Sequence, residues 1–106
     1  NILQMVRYFM TFHIRDEQID AAAKIINAYF DALEKGGPGG MRSQCYETDH
    51  HEHNYIHIKS FKKDAVARHH FKSGICKKYL QQLMQLCGQD LHFTKLYQQQ
   101  TFESIY

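Results

Sequence analysis

The feature that most constrains the fold is the alternation of side chains between Val6 and Ile14. In the segment VRYFMTFHI, one set of positions is apolar throughout, and the positions between them hold Arg7, Phe9, Thr11 and His13. A period of two is typical of a β-strand, because successive side chains point to opposite faces of a sheet. Phe9 puts an aromatic ring on the second face as well. We therefore expect both faces to be covered, one by helices and the other by a partner.

A helix is predicted directly after this strand. Asp16 is suited to cap its first turn, because a carboxylate accepts from the free N–H groups there. Gly36 and Gly37 are expected to end the helix through positive φ angles, with the rest of GGPGG forming a loop inside the domain. The apolar stripe repeats every three or four residues and consists of Ile19, Ala22, Ala23, Ile26, Phe30 and Leu33.

The remaining chain predicts a hairpin, two helical pieces and a last strand. Ser73 is suited to cap the second helical piece, and Gly88 to end it. In the second strand of the hairpin, Ile56 and Ile58 share one face and Tyr55, His57, Lys59 and Phe61 share the other, and the pattern leaves open which face meets the helices. The predicted elements are strands at Met41–Glu47, Asn54–Phe61 and Leu91–Gln98, and helices at Asp64–Phe71 and from Ser73 onward.

The element order β-α-β-β-α-β predicts an α+β fold of the ferredoxin-like split βαβ type. Such a fold has a four-stranded antiparallel sheet with helices on one face. The chain of 106 residues is expected to form a single domain over residues 5–106, with residues 1–4 as a leader or expression remnant. A domain of this size buries only a modest part of its surface, so a homodimer is expected.

Composition excludes several classes of function. Lys and Arg number 13 against 11 Asp and Glu, with no long run of like charge, so no nucleic-acid partner is expected. An RNA-recognition motif has the same element order, but NYIHIKSF lacks its base-stacking pattern. No apolar segment is long enough to cross a bilayer, and no membrane partner is expected. The odd count of 3 Cys, without C-x-x-C spacing, fits reduced thiols in a cytoplasmic protein.

The segment Phe61–Leu83 resembles antibiotic biosynthesis monooxygenase domains. In that family an aromatic residue ends the third strand, a short alanine-containing helix follows, and an H-x-x-S motif precedes the last helix. Here FKKDAVARHHFKSGICKKYLQQL has the same arrangement, with H-x-x-S at His70 to Ser73. The resemblance extends over most of Met5 to Tyr97. It implies a dimeric α+β barrel with a pocket between each subunit's sheet and helices. Family members include quinol oxygenases that use neither metal nor flavin, haem-degrading enzymes, and domains with no known substrate.

The haem-degrading branch of the family provides a comparison. That branch relies on an Asn on the first strand, a Trp on the short helix and a haem-binding His on the last helix. The corresponding positions here are Met10, His69 or His70, and Leu80 beside Tyr79, and the chain contains no Trp. We therefore expect no haem, and no other cofactor.

His70 is the candidate catalytic residue, because a neutral imidazole can accept a proton from a phenolic substrate near pH 7. A structural role, ordering the turn at Ser73, is the alternative. The adjacent His69 points about 100° away on the helix. The candidate substrate-binding residues form an apolar chamber with one or two hydroxyls, which equally fits an ordinary core. They are Tyr8, Met10, Phe12, Phe30, Tyr79 and Leu83, with Ile26 beside them.

A second group of potential ligands is the run from Asp49 to His53, with three His, one Asp and one Glu. These residue types bind zinc, nickel or copper when three or four of them converge. Adjacent residues on a hairpin loop diverge, so a solvated turn and no metal site are expected. Neither Cys45 nor Cys87 has a His at a spacing typical of a thiol nucleophile.

Two functions remain. The first is a small cofactor-independent monooxygenase acting on a quinol or polycyclic aromatic compound. The alternative is a non-catalytic dimeric α+β barrel domain that binds or senses an apolar or aromatic small molecule. A closed cavity of at least ~300 Å³ between sheet and helices would favour the enzyme, and an interior filled by side chains would favour the alternative.

Overall fold

In the computed structural model, which describes residues 5–48 and 53–105, the four strands form one antiparallel sheet in the order β2-β3-β1-β4. The strands are β1 (Val6–His13), β2 (Met41–Glu47), β3 (Asn54–Phe61) and β4 (His92–Leu96). The helices are α1 (Ile19–Gly36), α2 (Asp64–Lys72) and α3 (Gly74–Cys87). The predicted α+β fold, the antiparallel hairpin and the split second helical region are confirmed. The predicted leader at residues 1–4 lies outside the described residues.

The strand register decides which side of β3 meets the helices. Met10 of β1 is buried in the core and is the register partner of His57 on β3. Register partners in a sheet share a face, so His57, Lys59 and Phe61 point towards the helices with Met10. Ile56 and Ile58 therefore lie on the opposite face. The more polar side of β3 faces the interior of the domain.

The apolar core lies between the sheet and the helices. Ala22 of α1 and Leu83 of α3 are fully buried against β1, because the apolar stripes of both helices point to the sheet. No described helix is long and apolar enough to span a membrane. The buried core cluster consists of Met10, Phe12, Ile14, Ala22, Tyr29, Tyr79, Leu83 and Cys87.

The start of α1 differs from the prediction that Asp16 caps it. A 3-10 turn at Asp16–Gln18 comes first, and α1 then begins at Ile19 with Gln18 as its N-cap. No side chain caps either element. The Asp16 carboxylate instead lies 2.9 Å from His53 Nε2, at the end of the hairpin that precedes β3. Asp16 therefore joins the start of the helical region to the hairpin.

Gly37, which follows the last residue of α1, is required for a different reason from the one predicted. Gly37 has a φ of −73°, so the prediction of a positive φ is wrong. A Cβ atom there would lie 2.6 Å from the carbonyl oxygen of Leu33, closer than real contacts allow. Two predictions about α3 are confirmed: the Ser73 hydroxyl accepts from the Cys76 amide at 3.3 Å, and Gly88, with φ 48°, follows the last helical residue.

Candidate functional site

A group of polar and aromatic side chains fills the layer between the sheet and the three helices. It has members on β3 and on every helix, and each is at most 3% exposed. We call it the buried polar cluster, and it consists of Tyr29, His57, Lys59, His70, Cys76 and Tyr79. So many titratable groups in one core are unusual, because polar side chains are mostly exposed unless they are paired.

Two tyrosine–histidine hydrogen bonds organise the buried polar cluster. The Tyr29 hydroxyl lies 2.8 Å from His70 Nε2, and the Tyr79 hydroxyl lies 2.8 Å from His57 Nδ1. The hydroxyl of Ser43, on β2, lies 2.6 Å from the other ring nitrogen of His57. The two tyrosine rings stack nearly parallel, with centroids 4.0 Å apart and 12° between their planes. The cluster thus holds two adjacent hydroxyl–imidazole pairs.

Lys59 lies beside the two tyrosine–histidine pairs, and its ammonium group contacts a thiol and aromatic rings. Its Nζ atom is 3.6 Å from Cys76 Sγ. It also lies over three aromatic rings, at 4.7 Å from the centroid of Tyr29, 5.3 Å from that of Tyr79 and 5.5 Å from that of Phe71. Cation–π contacts of this kind offset part of the cost of desolvating an ammonium group. Burial nevertheless lowers the pKa of Lys59.

Burial sets the protonation states of the histidines. It lowers the pKa of His57 to about 3 and that of His70 to about 4, and the positive charge of Lys59 adds to both shifts. Both imidazoles are therefore neutral at pH 7. Burial also raises the pKa of the hydroxyls of Tyr29 and Tyr79 above their ordinary value, so both remain protonated. Each hydroxyl–imidazole pair is neutral and able to pass a proton.

The structure places the predicted site residues in three groups. His70 and Tyr79 belong to the buried polar cluster, whereas the adjacent His69 is exposed. Phe30 stacks on His57 with ring centroids 5.5 Å apart. Met10, Phe12 and Leu83 are buried in the apolar core. Tyr8 lies apart from these, in an aromatic group with Phe61, Phe71 and Phe93.

Four members of the buried polar cluster are absent from the predicted site: Tyr29, His57, Lys59 and Cys76, the last noted only as one of three cysteines. Tyr29 follows Ala22 and Ile26 at helical spacing, so the apolar stripe of α1 already pointed to it. His57 and Lys59 were recognised only as one of two possible inner faces. No local signal distinguishes those faces, because the two isoleucines opposite them look more suited to a core.

One of several open grooves on the described residues lies between α1 and α3. There, a groove of about 310 Å³ has the stacked tyrosines Tyr29 and Tyr79 in its lining. The layer beneath, between sheet and helices, is occupied by the buried polar cluster. The layer between sheet and helices, where a cavity was expected, is therefore filled by side chains. The groove lies outside that layer, between α1 and α3. Its lining consists of Ile25, Ala28, Tyr29, Ala32, Gly74, Ile75, Lys78, Tyr79 and Gln82.

Potential metal ligands do not converge in the part of the chain that the structure describes. No group of three or more His, Cys, Asp or Glu there could hold an ion. His53 is near Asp16 and, at 3.5 Å, Glu47. The rest of the predicted polar turn, Asp49 to Glu52, lies outside the described residues. Burial raises the pKa of Cys45 to about 11 and also raises that of Cys87, so both side chains stay thiols.

Comparison with known proteins identifies the fold. No family model matches the chain, and no curated protein matches it. Among solved structures, a Mycobacterium tuberculosis protein matches with TM-score 0.79 and 16% identity over 94% of this chain and 100% of its own. A Caulobacter crescentus protein, described as a candidate antibiotic biosynthesis monooxygenase, matches with TM-score 0.76 and 12% identity over 90% of each chain. A Nitrosomonas europaea protein with the same description matches with TM-score 0.74 and 10% identity, over 87% of this chain and 88% of its own.

These matches cover nearly the whole domain. The chain has the fold of antibiotic biosynthesis monooxygenase-like domains, as the resemblance at Phe61–Leu83 predicted.

Proposed function

We propose that the protein is a cofactor-independent monooxygenase that acts on a quinol or polycyclic phenol. The observation that carries this proposal is the 2.8 Å hydrogen bond between Tyr29 and His70. Tyr29 lines the groove between α1 and α3, and His70 lies behind it in the buried polar cluster. A base is thus connected through one hydroxyl to a groove that can hold a flat aromatic molecule.

The proposed reaction begins with removal of a proton from the substrate. The Tyr29 hydroxyl accepts that proton while it donates its own to Nε2 of the neutral His70. The low pKa of His70 describes the resting protein. Negative charge that develops on the substrate favours the imidazolium and raises the basicity of His70 during the step. Dioxygen adds to the resulting carbanion to give a peroxide anion, which takes the proton back from His70 through Tyr29 and becomes a hydroperoxide. Loss of water, with the remaining hydrogen on that carbon, then leaves a carbonyl and returns His70 to its neutral form.

The other predicted substrate-binding residues have three different roles in this proposal: lining the groove, supporting the tyrosines, and packing elsewhere in the domain. Tyr79 lines the groove and positions the substrate ring. Phe30, Met10, Phe12 and Leu83 support the two tyrosines from below. Tyr8 packs on Phe61 and Phe71 at the edge of the buried polar cluster and does not line the groove, so we propose a structural role for it.

Tyr29→Phe and Tyr79→Phe form a matched pair of test variants, because each removes one hydroxyl from one histidine. Proton transfer typically contributes 10² to 10⁴ in rate. With a panel of naphthalene and anthracene hydroquinones, we expect Tyr29→Phe to slow oxygen uptake at least tenfold and Tyr79→Phe to slow it much less. His70→Ala should cause the same loss as Tyr29→Phe while ligand affinity changes little. His69→Ala, at the exposed neighbour, is the control. Equal effects of the two tyrosine variants would refute the relay.

Non-catalytic ligand binding is the second candidate, and the filled layer between sheet and helices favours it. His57, Lys59 and His70 are each at most 1% exposed, so no substrate touches them without rearrangement. If the hydroquinones bind in the groove and none consumes oxygen, binding or sensing becomes the function.

We also propose that the protein is a homodimer formed through the open face of the sheet. Phe9, Ile56 and Ile58 lie on that face, where Tyr46 is 50% and Leu96 40% exposed. Covering this apolar face would remove area from water that a single layer of helices cannot reach. The cysteines at 45, 76 and 87 are free, which supports a reducing compartment such as the cytoplasm.

A further inference from the structure

The groove between α1 and α3 owes its shape to small residues. Ala28 and Ala32 on α1 face Gly74 at the start of α3, where longer side chains would close the gap between the helices. The stacked rings of Tyr29 and Tyr79 lie deepest in the lining, since both are nearly fully buried. The groove therefore has apolar walls, and small exposed parts of the two tyrosines lie at its base.

The groove has a single charge. Lys78 is the one charged side chain among the described residues that line it, and it is exposed. The other residues that line the groove are uncharged, so none of them competes with Lys78 for an anionic group of a ligand. A ligand that fills the groove and carries an anionic group can therefore place that group at the Lys78 ammonium, where opposite charges attract.

We infer that the groove binds a planar aromatic carboxylate, with its rings against Tyr29 and Tyr79 and its carboxylate at Lys78. This inference rests on the proposed function, because it names the class of substrate for the same groove. The volume of about 310 Å³ is at the low end of the range for small-molecule sites, which favours two or three fused rings over a larger ligand. Aromatic rings also gain from edge contacts with tyrosine beyond the burial of their area.

The test uses anthracene-2-carboxylate and its uncharged methyl ester. The chain has no Trp, so the fluorescence of the anthracene ring can be followed directly in a titration. We expect the carboxylate to bind about two to five times more tightly than the ester at low ionic strength, an effect that added salt reduces. Lys78→Gln should abolish this preference and Lys78→Glu should reverse it. Lys77→Gln is the matched control, because Lys77 is exposed on the same turn and does not line the groove.

A second variant tests the shape of the groove. Ala28 is exposed, so Ala28→Leu should leave the fold intact, which thermal melting checks, while it fills the groove. We expect it to weaken binding of the carboxylate and the ester alike by at least tenfold. Unchanged binding in Ala28→Leu, or an unchanged carboxylate preference in Lys78→Gln, would overturn the inference. Equally tight binding of a straight-chain carboxylate such as laurate would overturn the aromatic part of it.

The two proposals fail in different ways. If anthracene-2-carboxylate binds as expected and the hydroquinone panel consumes no oxygen, the monooxygenase proposal fails and the ligand class stands. If oxygen uptake depends on Tyr29 and the carboxylate preference is absent, the ligand class fails and the proton relay stands.

Discussion

Lowering the pH from 7 to 5 should destabilise the protein by about 4 kcal/mol. His57 and His70 have pKa values of about 3 and about 4 in the folded chain, against 6.5 when unfolded. At pH 5 the unfolded chain therefore binds two protons that the folded chain does not, so stability falls as pH drops below 6.5. One pKa unit corresponds to about 1.4 kcal/mol, which gives about 2 kcal/mol for each histidine at pH 5.

A loss of about 4 kcal/mol is large compared with the free energy of unfolding of a typical domain, which is about 5–15 kcal/mol. It can be measured by urea unfolding at pH 7, 6 and 5, at one fixed protein concentration so that any dimer contributes equally. His70→Gln keeps a hydrogen-bonding partner for Tyr29 and removes one buried titration, so its loss over the same range should be about 2 kcal/mol. His69→Gln, at the exposed neighbour, should behave like the natural sequence. The conclusion that both buried histidines are neutral would be refuted by either of two results. One is a loss of unfolding free energy below about 1 kcal/mol in the natural sequence, and the other is a loss in His70→Gln equal to that of the natural sequence.

Three further predictions concern the assembly, the backbone and haem. Phe9→Lys should shift sedimentation from dimer towards 12.6 kDa, whereas Gln81→Lys on the exposed side of α3 should not, and a natural chain that sediments at 12.6 kDa at micromolar concentration would exclude the dimer. Gly37→Ala should lower the unfolding free energy by more than about 1 kcal/mol because its Cβ meets the Leu33 carbonyl, whereas Gly39→Ala, with nothing within 4 Å, should change little. Titration with haemin should give no stoichiometric Soret band, and saturable binding with one haem per chain would contradict the expectation drawn from Leu80 and the absent Trp.

The sequence determined the elements well because their signals are local. The alternation in β1, the stripe of α1 and the cap at Ser73 each depend on residues within a few positions of one another. The ends of α1 were misjudged because they depend on distant groups: Asp16 pairs with His53, and Gly37 is limited by its approach to Leu33.

The site was harder to predict than the fold. His70 and Tyr79 were found through a motif and an apolar stripe, but His57 and Lys59 depend on the register between β1 and β3. Hydrophobicity alone favours Ile56 and Ile58 as the inner face of β3. It fails here because both faces of the sheet carry apolar groups, so the pattern of one strand cannot distinguish the inner face from the outer face.

The position of Lys59 has a consequence for directed evolution of this protein. A long cationic side chain enclosed by Tyr29, Tyr79 and Phe71 is costly to desolvate. Replacing buried charged groups with well-packed apolar residues of similar volume is often neutral or stabilising, by up to about 4 kcal/mol. In a library randomised at this one codon, selection for heat resistance should therefore enrich methionine and leucine. Selection for the proposed monooxygenase activity should retain lysine, whose amine lies over the rings of both Tyr29 and Tyr79. Codon 59 is thus a position where the two selections lead to different proteins.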